Sequence, residues 1–183
     1  GVLVSFPGLA FAACGLPDGL NEKKQFDFAK KMIADGLLTS ARDYLQCYRA
    51  SKPQGEFRFV AMKLEGDVLL QMGESYWPQA QILFEEWLQE NPNDSEGDFA
   101  RLQLGKIHFR FDRPQVAEET LSPIPPSSRL YGPARSLMGQ ALFQRMLRYQ
   151  EKNASAQATD LAPRIAKYHQ AVSYTHLRAH ETP

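Results

Sequence analysis

His176 and His180 stand four residues apart near the end of the chain, with Glu181 beside the second. On a helix that spacing puts both imidazoles on one face, where they could grip a divalent metal. Two adjacent carboxylate pairs, Glu85-Glu86 and Glu118-Glu119, offer acid–base chemistry in principle. Neighbours on a helix diverge by about 100°, so these four are expected on solvated helix faces instead. Trp77, Trp87, Tyr76 and Phe84 could form a ligand box, but their spacing around a turn and a helix suits core packing better. The tripeptide Phe-Arg-Phe occurs at 57–59 and again at 109–111. Aromatics beside arginine can stack on nucleic-acid bases, yet 21 Lys and Arg balance 21 Asp and Glu. Without a basic field the chain is not expected to bind nucleic acid. Cys14 and Cys47 are the two cysteines. They could form one disulfide in an oxidising compartment, but Cys47 is expected to pack as a small hydrophobe. His108 is expected to pack within a helical hairpin, and His169 has no metal-ligating companion nearby in sequence. No serine elbow, phosphate-binding glycine loop or His-Glu-x-x-His run is present. A non-enzyme without metal or cofactor is therefore expected.

The elements that would position these residues are helical. In FAKKMIADGLLTSARDYLQCYRASKP, apolar residues recur at three- and four-residue steps through Phe28, Met32, Leu38, Ala41, Leu45 and Tyr48. Asp35-Gly36 interrupts the pattern, and Gly36 suits a left-handed helix stop. Pro53 closes the second helix. The same grammar returns twice: Gly66, Gly73, Pro78, Ala80 and Phe84, closing at Pro92; then Leu104-Gly105, His108, Asp112 at the turn, Ala117 and Leu121. A fourth start, Met138-Gly139 and then Leu142, lies 34 residues after the third. Pro123, Pro125 and Pro126 separate the third unit from the fourth, either as a long linker or as a change of superhelix direction.

These slots resemble the tetratricopeptide repeat, whose pattern runs W-x2-L-G-x2-Y, A-x3-F, P. Ala41, Leu45 and Pro53 match the second helix of repeat one, with Ala29 in the glycine slot. Ala80, Phe84 and Pro92 match repeat two. Leu104, Gly105, His108, Ala117 and Leu121 match repeat three, and repeat four degenerates after Leu142. The resemblance covers residues 22–171 and implies an all-α fold of three to four helix-turn-helix units stacked as a right-handed solenoid. Small side chains at the Ala and Gly slots would let helices touch, with Leu45, Phe84 and Leu121 filling the gaps.

Both ends read differently. The stretch GVLVSFPGLAFAAC at 1–14 is apolar and uncharged, with Ala10 and Ala12 at small positions, and resembles the hydrophobic part of a secretory signal. Cys14 follows in a loose lipoprotein-type box, so either cleavage or a lipid anchor at Cys14 is expected, and residues 14–21 read as a tether. Residues 172–183, VSYTHLRAHETP, leave the repeat grammar and resemble an in-frame translation of a transposase-type sequencing adapter. The His176/His180 pair is thus expected to lie outside the native protein. No apolar run is long enough to span a bilayer.

What the resemblance implies for function is a concave groove lined by the first helix of each repeat. Its slots fall on Lys23, Phe26 and Lys30, on Lys63, Asp67 and Gln71, on Lys106, Phe109 and Arg110, and on Gln140 and Gln144. The basic trend suits an acidic peptide or protein partner. An exported, periplasmic or outer-membrane scaffold of the bacterial envelope is expected. The alternative is the recruitment region of a longer enzyme or signalling protein. Asparagines of the chaperone-tail carboxylate clamp do not occupy these slots.

Overall fold

The structure, a computed structural model, describes residues 21–90 and 96–179, with side chains described up to residue 170, Glu22 excepted. Among them the regular elements are eight helices and a short 3-10 turn. They are α1 (Glu22–Ala34), α2 (Leu38–Ser51), α3 (Arg58–Gln71), α4 (Trp77–Glu90), α5 (Gly97–Arg110), α6 (Pro114–Leu121), α7 (Tyr131–Glu151) and α8 (Ser155–Ala179). The 3-10 turn, Glu74–Tyr76, joins α3 to α4. The chain divides into two compact units, residues 1–87 and 88–183. Pro92 and the 1–20 signal, tether and Cys14 readings lie outside the described residues, as does His180.

Three of the connections are one motif. After α1, Gly36 takes φ +75°, its N–H bonds the Ile33 carbonyl at 3.0 Å, and the Leu37 N–H reaches back to the Met32 carbonyl at 2.9 Å. After α5, Asp112 sits at φ 60° with Arg113 N–H on the His108 carbonyl at 2.8 Å. After α7, Asn153 sits at φ 54° with Ala154 N–H on the Tyr149 carbonyl at 2.8 Å. This is the six-to-one helix stop with one left-handed residue, which satisfies carbonyls the helix end would otherwise leave open. Glycine accepts that conformation freely, and Asp and Asn tolerate it. Replacing Gly36 by Ala should lower stability by about 1 kcal/mol, and by Asn by less. Urea denaturation followed by tryptophan fluorescence checks this, because Trp77 and Trp87 are the two tryptophans and both lie in the first unit.

Packing within each unit follows the small-and-large slots. The trio Ala41, Leu45 and Tyr48 on α2 is buried, as is Ala80, Phe84 and Trp87 on α4. In the second unit Ala117 and Leu121 on α6, with Ile124 just beyond it, repeat the pattern. A Cβ on Gly66 would overlap the Phe84 ring, with Cε1 at 2.7 Å; one on Gly105 would meet Leu121 Cγ at 2.6 Å. Ala29, in the same slot of α1, is fully buried in one cluster with Leu45. Glycine here is a requirement of helix approach, and it outweighs the loss of helix propensity. Gly139 of α7 is less crowded: a Cβ there would meet Tyr168 Cβ across the hairpin at 3.6 Å, an ordinary contact.

Candidate functional site

The side chains expected to line a groove are placed one unit at a time. On α1, Lys23 and Lys30 are exposed, seven residues apart and so on one face. Phe26 does not join them. It is 5% exposed, with its ring 4.9 Å from Tyr48 and 5.3 Å from Phe57. An aromatic flanked by lysines reads as a groove contact in sequence, but here burial of the ring against α2 and the start of α3 decides its side. On α3, Gln71 is exposed, whereas Lys63 and Asp67 are half-buried. On α5, Lys106 and Arg110 are exposed four apart, and Lys106 donates to Gln103 at 3.3 Å; Phe109 is half-buried. On α7, Gln140 is exposed. Gln144 turns instead to Asp112, donating at 2.9 Å to its carboxylate, which Arg148 also contacts. The left-handed Asp112 thus ties the α5–α6 turn to α7, a role glycine could not fill.

Neither carboxylate pair acts as a pair. Glu85 accepts from Gln81 at 2.7 Å on the surface, while Glu86 takes Arg58 at 2.7 Å and Arg49 at 3.6 Å. Arg49 in turn holds Glu65, 3% exposed on α3, at 2.7 Å. Glu119 accepts from Gln115 at 3.0 Å, while Glu118, 8% exposed, bonds both Arg145 and Arg164. The expectation that all four carboxylates are solvated fails for Glu118, while Glu86 keeps a side chain 37% exposed and is ion-paired there. The arginines that hold them lie up to 46 residues away, beyond any local pattern.

Other candidates resolve as packing. Phe84 and Trp87 are buried, Trp77 donates to the Leu70 carbonyl at 3.2 Å, and Phe59 lies 5.8 Å from the Trp87 ring. His108 is 6% exposed within α5. Burial pushes the Tyr44 phenol above its usual range. Cys47 is half-buried and disulfide-bonded, so it is not simply a packed thiol. Among the described residues no group of three or more His, Cys, Asp and Glu could hold a metal ion, and no helix is long and apolar enough to cross a membrane.

The second unit also carries an open cleft of about 560 Å³ that the groove expectation did not include. α6 supplies Gln115, Glu118 and Glu119, α7 supplies Arg145 and α8 supplies Arg164.

Among solved structures, one described as "MamA RS-1 ArsTM double mutant" superposes with a TM-score of 0.56 at 19% identity, covering 87% of this chain and 85% of that one. The fold is a tetratricopeptide-type helical repeat. No protein-family model matches the chain, and no curated protein matches it. The repeat fold accounts for the recurring small slots at Ala29, Gly66, Gly105 and Gly139, each on the first helix of a pair. It also assigns α1, α3, α5 and α7 as first helices, and these carry the expected groove side chains.

Proposed function

We propose that the chain is a non-catalytic scaffold of the bacterial cell envelope that binds a peptide or protein partner through the first helices of its repeats. The observation that carries this reading is the set of long basic side chains displayed on those helices: Lys23 and Lys30 on α1, Lys106 and Arg110 on α5. Exposed ammonium and guanidinium groups at helical spacing suit carboxylates presented along an extended or helical peptide. Lys63, Asp67 and Gln71 stand beside them in the first unit and Phe109 and Gln140 in the second, with the aliphatic stems of the lysines offering apolar contact. Export rests on the apolar stretch at 1–14 with its small residues before Cys14, and the disulfide at Cys47 fits an oxidising compartment.

The test is an acidic peptide array read by fluorescence anisotropy. Lys63→Glu and Lys106→Glu should each weaken the best acidic peptide about tenfold, the scale of one charge-assisted hydrogen bond. The loss should shrink as salt is raised. Unchanged affinity in both variants would sink the basic-groove reading.

A further inference from the structure

The cleft of the second unit has a charge arrangement that points to a ligand. Glu118 is buried and gives one oxygen to each arginine: Oε2 accepts from Arg145 at 3.0 Å, and Oε1 accepts from Arg164. Among the described residues Glu118 is the group that both guanidiniums bond. Each guanidinium carries five N–H donors in a planar fork, so donors remain on both, and both side chains line the cleft. Two guanidiniums against one carboxylate leave a surplus of one positive charge at the inner wall. Glu119, exposed and held by Gln115, lines the cleft as well and brings the formal charge of its lining to zero. Arg164 has a side chain 47% exposed, so its free donors are reachable, whereas Glu118 is sealed beneath.

We propose that this cleft binds a single carboxylate from a peptide, held between the remaining donors of Arg145 and Arg164. Planar guanidinium forks match a planar carboxylate, and Glu118 fixes both forks in advance so that little side-chain order is lost on binding. A phosphate dianion fits worse: it brings two negative charges to a lining of zero formal charge and meets both Glu118 and Glu119. The cleft volume leaves room for the residue that bears the carboxylate. The site shares no residue with the proposed groove, so either one can fail while the other stands.

The test titrates the full chain with four probes: acetyl-triglycine, its C-terminal amide, acetyl-Gly-Glu-Gly amide and inorganic phosphate. The readout is the Nε–H signals of Arg145 and Arg164 in proton–nitrogen correlation spectra, assigned with Arg145→Gln and Arg164→Gln. Saturating shifts of both signals are expected with a carboxylate probe and not with the plain amide. The tighter of the two carboxylates tells whether a chain terminus or an acidic side chain is the source. Arg164→Gln should weaken the better probe at least about tenfold while the helical circular dichroism is retained, because Arg145 still pairs Glu118. No saturation by either carboxylate at tens of millimolar overturns the proposal, leaving a structural ion cluster. Tighter binding of phosphate than of both carboxylates overturns it equally.

Discussion

Arg49→Met is expected to destabilise the first unit by about 3–5 kcal/mol, the scale for removing one partner of a buried ion pair. Glu65 is 3% exposed on α3 and its carboxylate is held by Arg49 Nε at 2.7 Å. Without the guanidinium, the carboxylate stays among helices α2, α3 and α4 with no counter-charge at bonding distance. Glu86 suffers less, since Arg58 still holds it at 2.7 Å and its side chain is 37% exposed. The loss therefore belongs to Glu65. A matched change tests this assignment: Arg49→Met with Glu65→Met should recover stability to within about 1 kcal/mol of the parent, because two apolar side chains of similar length leave no charge uncompensated. Tryptophan fluorescence during urea denaturation reads the first unit directly. A loss below about 1 kcal/mol in the single variant would mean that water already reaches Glu65.

The second large effect concerns the contact between Gly66 and Phe84. Phe84→Ala should cost about 3–5 kcal/mol, as for other fully buried aromatics. Gly66→Ala acts from the opposite side. Its added methyl overlaps a ring with Cε1 2.7 Å away, and the ring is fully buried with little room to retreat. Overpacking of this kind costs about 1–3 kcal/mol, partly offset by the better helix propensity of alanine. The first hairpin already holds the compatible solution, Ala29 with Leu45, both fully buried. Gly66→Ala combined with Phe84→Leu should therefore cost at least about 1 kcal/mol less than the sum of the two single changes. Additive losses in a double-mutant cycle would show that the two sites relax independently, and that the small-and-large pairing is not the constraint on helix approach.

Much of this was legible in the order of residues. The three- and four-residue spacing of apolar side chains encodes helices, because it is a local consequence of 3.6 residues per turn. Gly36 announces a left-handed stop, and Asp112 marks a turn, because a single backbone conformation decides each. Ala41, Leu45, Ala80, Phe84, Ala117 and Leu121 recur as small and large partners, since the same hairpin contact must be made in every repeat. These features depend on neighbours within one hairpin, and a linear reading reaches that far.

The side on which a residue ends is another matter. Phe26 stands between lysines as a groove residue would, yet it turns inward because Tyr48 and Phe57 offer its ring a buried surface. Glu118 looks like half of a solvated acidic pair, yet Arg145 and Arg164 reach it from 27 and 46 residues away. Asp112 reads as a turn residue, and the packing of α7 against that turn is what gives its carboxylate Gln144 and Arg148. A helical repeat, its turns and its packing slots follow from residue order alone, because they rest on periodicity and local backbone preference. Which charges are buried and paired, and which cleft they line, follows from the folded arrangement, because ion pairs form between whichever helices the fold brings together.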